Sequence, residues 1–338
     1  MMKIPKMKKI LLLIVSFLII FSGYSQPAEL KNLDINLENY QYPYPVKFLN
    51  LHNQLQELQM AYMDVKPGNY NGKNVMLLHG KNFNGAYWRT TIAALSNAGF
   101  RVIVPDQVGF GKSSKPKAFQ YTFQQLATNT KTLLDSLDIH KITVLGHSMG
   151  GMVAARFALM YPETTEKLVL EDPLGLEDWK LKVPYTSVSE SYEKELQSNY
   201  ESIKKYQVEN YYHGTWKEEY EEWAKLLAGW TLNKNYKIIA WNSALTYDMI
   251  FTQPVLYEFQ NISCPTLLIV GTLDKTAIGK QLVSEEVRKT MGDYKALGKT
   301  IRDKIPDATL VEIDNVGHLP HIEAFDQFIK PLLAFLQK

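Results

Sequence analysis

The chain is poor in the features that would announce several common classes of protein. It has one cysteine, Cys264, so no disulfide can form within it, whatever the redox state of its compartment. No histidine lies near Cys264 in sequence. It precedes Pro265 at the start of an apolar run, which fits a small buried hydrophobe rather than a catalytic thiol. Charge is balanced and modest, with 37 Lys and Arg against 35 Asp and Glu. No basic patch makes an electrostatic case for nucleic acid. No internal repeat is present, no group of His, Cys, Asp and Glu has metal-ligand spacing, and no organic cofactor is implied. The longest apolar run, residues 10–21, is about a dozen residues, short of the roughly 20 that span a bilayer.

That run nevertheless has a reading. Lys3, Lys6, Lys8 and Lys9 precede it, and Gly23-Tyr24-Ser25 follows it, with small residues at the two positions a signal peptidase reads. The pattern predicts a secretory signal over residues 1–25, cleaved between Ser25 and Gln26, with a secreted or periplasmic product that keeps no stable membrane anchor. Its removal takes away four lysines and no acid, which moves the formal charge from +2 to −2.

Beyond an irregular stretch over 27–45, two extended segments, 46–51 and 55–65, read as an antiparallel pair. Six short and nearly continuous apolar runs follow, at 75–78, 102–104, 142–145, 168–170, 267–270 and 310–313. Such runs suit strands buried on both faces, as in a parallel sheet. Helical periodicity fills most of the gaps, at 88–98, at 123–137 with Thr122 as cap, at 149–160 and at 323–336. Strand alternating with helix predicts an α/β sheet covered on both sides. Residues 176–254 break the alternation. They lack a strand signal, abound in helix formers and hold five of the six tryptophans, Trp179, Trp216, Trp223, Trp230 and Trp241. They read as a helical cap inserted into a core made of residues 26–175 and 255–338.

Gly146-His147-Ser148-Met149-Gly150 matches G-x-S-x-G and falls between a buried strand and a helix, the context that gives the motif meaning. Glycines flank the serine because a Cβ at either place would meet the neighbouring backbone in so sharp a turn. Ser148 is therefore the candidate nucleophile, at a helix N-terminus whose dipole favours developing negative charge. Its base is sought on the loop after the last strand. His318 follows a glycine that frees the loop to turn inward, and His321, at the start of the next helix, is the competitor. His79 and His147 lie inside other motifs and read as supports of the local backbone. The acid that orients the base is Asp274, which leaves the sheet after the strand at 267–270; Asp172, after the preceding strand, is its rival. Asp248 lies within the cap and reads as a solvated or capping residue. His79-Gly80 ends the first buried strand and lets the chain turn back over the nucleophile. The amides of Lys81 and Met149 would then form an oxyanion hole, with donors worth roughly 2.7–4 kcal/mol each. Asn82 has a side-chain amide within the same loop. The glycine-containing turn at 106–113 matches neither the dinucleotide nor the Walker spacing and reads as structural.

Taken together, these residues resemble the α/β-hydrolase superfamily over 46–338. His79-Gly80, the 106–113 turn, Gly146–Gly150, Asp274 and Gly317-His318 fall in the order that family shows. The resemblance implies a catalytic serine, acid and histidine at Ser148, Asp274 and His318, and oxyanion amides at Lys81 and Met149. Haloalkane dehalogenases and epoxide hydrolases of this fold carry an aspartate nucleophile where this chain has Ser148, which argues against both activities. The expected activity is hydrolysis of a small-molecule carboxylic ester or lactone through an acyl-enzyme. An aromatic cap suggests a bulky apolar substrate, a macrolide-type lactone among the candidates, with Asn82, Trp216, Trp223, Trp230 and Trp241 lining its pocket. Competing readings are amide hydrolysis as in prolyl aminopeptidases, carbon–carbon bond hydrolysis, a cofactor-free haloperoxidase, and, in another class, a non-catalytic binding module.

Overall fold

The computed structural model describes residues 30–338; the expected signal segment and its cleavage point lie outside the described residues. Along the chain run β1 (Val46–Asn53), β2 (Gln56–Val65), β3 (Asn74–Leu78), α1 (Arg89–Asn97), β4 (Arg101–Pro105), α2 (Phe123–Ser136), β5 (Ile142–His147), α3 (Met149–Met160) and β6 (Thr165–Glu171). Four helices without a strand come next, α4 (Val188–Leu196), α5 (Tyr200–Asn210), α6 (Glu221–Thr231) and α7 (Lys237–Thr252). The alternation then resumes with β7 (Thr266–Gly271), α8 (Glu285–Arg288), α9 (Tyr294–Lys304), β8 (Ala308–Ile313), α10 (Pro320–Glu323) and α11 (Phe325–Gln337).

The eight strands form one sheet in the order β1-β2-β4-β3-β5-β6-β7-β8. β1 pairs antiparallel with β2, and β2 antiparallel with β4; every other pairing is parallel. The result is a mostly parallel sheet flanked by helices, the architecture the sequence resemblance implies.

Successive strand residues point to opposite faces, which divides the core in two. Met76, Leu78, Val144, Leu168, Leu170 and Leu268 pack with residues of α2, α3 and α9. Val75, Leu77, Leu145, Val169, Leu267 and Ile269 pack on the other side with residues of α1 and α11. Because both faces are covered, β5 and β7 have no exposed position, and they are mainly apolar, with Thr143, His147 and Thr266 buried among the hydrophobic residues.

The helix read at 88–98 is preceded by a 3-10 turn, Gly85–Trp88, capped by the Asn84 side chain on the Ala86 N–H. Thr122 caps α2, its hydroxyl accepting the Gln125 N–H at 2.9 Å. The helix read at 323–336 is interrupted at Ala324, whose φ of −144° breaks the helical path between α10 and α11. α9 falls in a stretch where no helix was expected. Cys264 is buried, and burial pushes its thiol up to about 11, in keeping with a packing role. Among the described residues no helix is long and apolar enough to cross a membrane.

Candidate active site

The turn from β5 into α3 places Ser148. Its backbone sits at φ 57° and ψ −122°, a left-handed conformation that costs a non-glycine residue of order 1–3 kcal/mol. The surrounding backbone enforces it. A Cβ on Gly146 would lie 2.1 Å from the Gly150 carbonyl oxygen, and one on Gly150 would lie 2.2 Å from that of Leu78. Two glycines therefore let the strand end, the helix start and β3 converge under the serine. The Ser148 N–H is held by Glu171 O at 3.1 Å, so the side chain is presented outward from the C-terminal edge of the sheet.

His318 reaches Ser148 from the loop after β8. Its Nε2 lies 3.0 Å from Ser148 Oγ, and its Nδ1 lies 2.6 Å from Asp274 Oδ2. All three side chains are buried. The other oxygen of Asp274 accepts the Thr276 N–H at 2.7 Å, which holds the carboxylate at both oxygens.

The competitors are engaged elsewhere. His321 points its Nδ1 at Glu171 Oε1, 2.8 Å away, and stacks on Trp88 at 4.2 Å. Asp172 accepts the Gly271 N–H with both oxygens, at 3.0 and 3.2 Å. Burial, with the charges of Asp274 and Glu171 nearby, pushes its carboxyl well above the usual range. Asp248 accepts the Tyr185 hydroxyl at the exposed surface. His147 bridges the loops, since its Nε2 meets the His318 carbonyl at 2.7 Å and its Nδ1 meets the Tyr87 hydroxyl at 3.0 Å. A carbonyl only accepts, so Nε2 carries the proton and Nδ1 accepts from Tyr87. Burial, first, and the neighbouring His318 and His321 push its basicity well below the ordinary value, which keeps it neutral. His79 is likewise held between Gly80 O and the Gln107 N–H. Asp106 gathers the Gly85 and Lys112 N–H groups and the Tyr42 hydroxyl, so the 106–113 turn is a structural device.

Lys81 borders the same cavity as Ser148, and Met149 follows Ser148 as the first residue of α3. Among the described residues the N–H of neither has an acceptor within the protein, and Met149 opens α3, where helical N–H groups are free. The Lys81 side chain lines the same cavity and donates to Ser243 Oγ at 2.6 Å.

A cavity of about 510 Å³ opens over Ser148, walled by the helical insertion and by the loops after β3 and β4. Asn82 and Trp230 line it, together with Phe83, Phe110 and four tyrosines, Tyr206, Tyr211, Tyr236 and Tyr247. Asn82 gives its amide N–H to Tyr211 Oη at 2.8 Å, so that amide is occupied. Three expected wall residues lie elsewhere. Trp216 bonds Glu221 and packs against Tyr212 and Tyr220. Trp223 lies against Phe83 and Tyr87 with Arg89 over its ring. Trp241 donates to Lys117 O and meets Tyr192 edge-on. In each case the ring packs the insertion together or onto the core, and tyrosines take its place in the cavity wall. Gln207 also borders the cavity, fully buried, with neither side-chain atom partnered in the protein.

The alpha/beta hydrolase fold profile matches residues 73–325. The chain belongs to that family. A solved structure of a probable hydrolytic enzyme from Pseudomonas aeruginosa PAO1 is 49% identical, with a TM-score of 0.90 over 91% of this chain and 99% of the other. Lipase 1 of Psychrobacter immobilis is 28% identical over 79% of this chain and 78% of its own length. An uncharacterized protein of Mycobacterium tuberculosis H37Rv is 39% identical over 105 residues. That match spans 31% of this chain and 30% of the relative.

Proposed function

We propose that this protein is a serine hydrolase that cleaves a carboxylic ester or lactone through an acyl-enzyme. The observation that carries the reading is the buried chain of contacts from Ser148 Oγ to His318 Nε2 and from His318 Nδ1 to Asp274, 3.0 and 2.6 Å long, at the floor of a cavity. In the neutral tautomer that a base requires, Ser148 donates to Nε2 and Nδ1–H donates to Asp274. His318 takes the hydroxyl proton as Oγ bonds the substrate carbonyl carbon, and the Lys81 and Met149 N–H groups hold the oxyanion. The C–O bond to the leaving alcohol breaks and His318 returns the proton to it. Water, deprotonated by His318, then releases the acid and restores Ser148.

The cavity volume is in the range of small-molecule sites, and its aromatic and aliphatic walls support a bulky, largely apolar acyl or alcohol group, with a macrolide-type lactone among the candidates. Gln207 supports a polar group on such a substrate, because an unpaired buried amide is destabilising by about 1–3 kcal/mol until something bonds it. The name of the Psychrobacter relative, a lipase, supports an ester over an amide. Export is part of the proposal and rests on the basic and apolar pattern of residues 1–25; an exported product whose first residue is Gln26 tests it.

The test of the chemistry is labelling by a fluorophosphonate probe together with turnover of p-nitrophenyl esters and aminoacyl anilides. We expect labelling and ester turnover in the wild type and neither in Ser148→Ala or His318→Ala. Faster turnover of the anilides would move the reading to an amidase. Absence of labelling in the folded wild type would leave a binding module.

A further inference from the structure

The helical insertion reaches the reacting residues at Tyr211, just beyond the end of α5. The Tyr211 ring stacks on the His318 imidazole, with centroids 5.0 Å apart and planes 25° apart. Its carbonyl oxygen accepts the His318 N–H at 2.8 Å. Its phenol oxygen accepts from Asn82 at 2.8 Å, which ties it to the loop that carries Lys81. The fit to the histidine loop is close enough that a Cβ on Gly317 would lie 2.0 Å from the Tyr211 carbonyl oxygen. Tyr211 is itself anchored, since its N–H bonds Gln207 O at 2.8 Å and its ring meets Tyr206 edge-on at 5.3 Å.

Two hydrogen bonds, to Ser148 and to Asp274, hold the two nitrogens of His318 at the edge of the ring. An aromatic ring stacked on one face restrains the rocking that those bonds and Cβ still allow, and the same π face attracts the imidazolium that forms when Ser148 gives up its proton. We propose that Tyr211 is a positioning residue for His318, so that the helical insertion completes the reacting machinery as well as walling the cavity. The proposal rests on His318 being the base of Ser148. It follows that the insertion cannot swing away from this edge as a free lid without releasing both the backbone and the ring of that base.

The experiment compares Tyr211→Phe and Tyr211→Leu with the wild type. It reads kcat and KM for p-nitrophenyl acetate, which is too small to fill the cavity, and the rate of fluorophosphonate labelling of Ser148. Folding is checked by thermal melting. Misplacing a reacting group by about 1 Å is worth about 10²-fold in rate. Tyr211→Leu should therefore lower kcat and the labelling rate by about 10²-fold with KM nearly unchanged, and Tyr211→Phe, which keeps the ring face, should restore most of both. A folded Tyr211→Leu that labels at the wild-type rate and loses only KM makes Tyr211 a cavity wall and overturns the proposal. Equal losses in the Phe and Leu variants overturn it too, because the stacked face is present in one of them. If Tyr211→Leu does not fold, Tyr211→Met supplies the same comparison. Failure of the underlying reading shows separately, as full activity in His318→Ala.

Discussion

At the scale of single residues, the site is a contest among acids that the geometry decides. Asp172, Asp274 and Glu171 crowd the same sheet edge, and they differ in what they hold. Asp274 points at an imidazole, whereas Asp172 holds a backbone N–H of β7 and Glu171 pairs with His321. Burial favours the neutral form of Asp172, and asparagine is a neutral residue of nearly the same shape. Asp172→Asn should therefore leave ester turnover within a few-fold of wild type. Asp274→Asn should cut kcat by up to about 10⁴-fold, because the amide donates where the base needs an acceptor. Steady-state kinetics on the two folded variants check the assignment, and a reversed pattern would give the role to Asp172.

At the scale of elements, the loop between β8 and α11 holds His318 by means of a carboxyl. Glu323 accepts the Leu319 N–H at 2.9 Å and the Gly317 N–H at 3.2 Å. Burial pushes its carboxyl up to about 7, and the charge of Asp274 adds to that; the two N–H groups and His318 oppose it. A carboxyl raised in the fold favours the protonated state. Its contribution to stability is complete below the ordinary glutamate range and declines as pH rises through about 7. The wild type should lose part of its urea resistance between pH 5 and pH 8, and Glu323→Gln, neutral at both, should lose less. Equal losses in the two proteins would remove Glu323 from the account. This loop also shows what sequence alone can supply. A histidine after a glycine at the end of the last strand was legible, because loop position and chain order are local properties. The central strands were legible for a similar reason: burial on two faces leaves a short, mostly apolar run, as in β5 and β7. β1 and β2 showed instead as an extended antiparallel pair, and β8, at the sheet edge, is only partly buried. α9 was not legible. Its buried face is Tyr294, Gly298 and Ile301, and a glycine among lysines hides the helical spacing. The cavity wall was legible only at Asn82 and Trp230, since tryptophan count says how much an insertion packs and nothing of which way each ring turns. Trp216, Trp223 and Trp241 face protein, and Tyr206, Tyr211, Tyr236 and Tyr247 line the cavity in their stead.

At the scale of the molecule, the irregular stretch before β1 joins the insertion to the core. The Leu33 N–H bonds Gly229 O at 3.1 Å, and the indole N–H of Trp230 bonds Asp34 O at 3.0 Å. Asn233 donates to Leu33 O at 2.9 Å. All of these partners lie in or just beyond α6. Farther along, the Tyr42 hydroxyl donates to Asp106 Oδ2 at 2.6 Å, which anchors the same stretch to the turn after β4. Leu33 and Leu37 of this stretch are themselves buried, and each apolar side chain so covered contributes roughly 1.5–3 kcal/mol. Trp230 is thus gripped from behind by the strap while its ring borders the cavity. Removing the strap leaves the sheet and the contacts among Ser148, His318 and Asp274 intact, but it frees the wall that Trp230 belongs to. A chain beginning at Pro43 should therefore keep most of its kcat/KM for p-nitrophenyl acetate. It should lose about tenfold or more for a bulky ester, the effect of roughly 1–3 kcal/mol of aromatic contact. Trp230→Ala should reproduce the selective loss in the full chain, whereas Trp241→Ala, whose ring lies outside the cavity, should not. A truncated protein that loses both substrates equally, or that melts as a different cooperative unit, would make the strap part of the core rather than a brace for the wall.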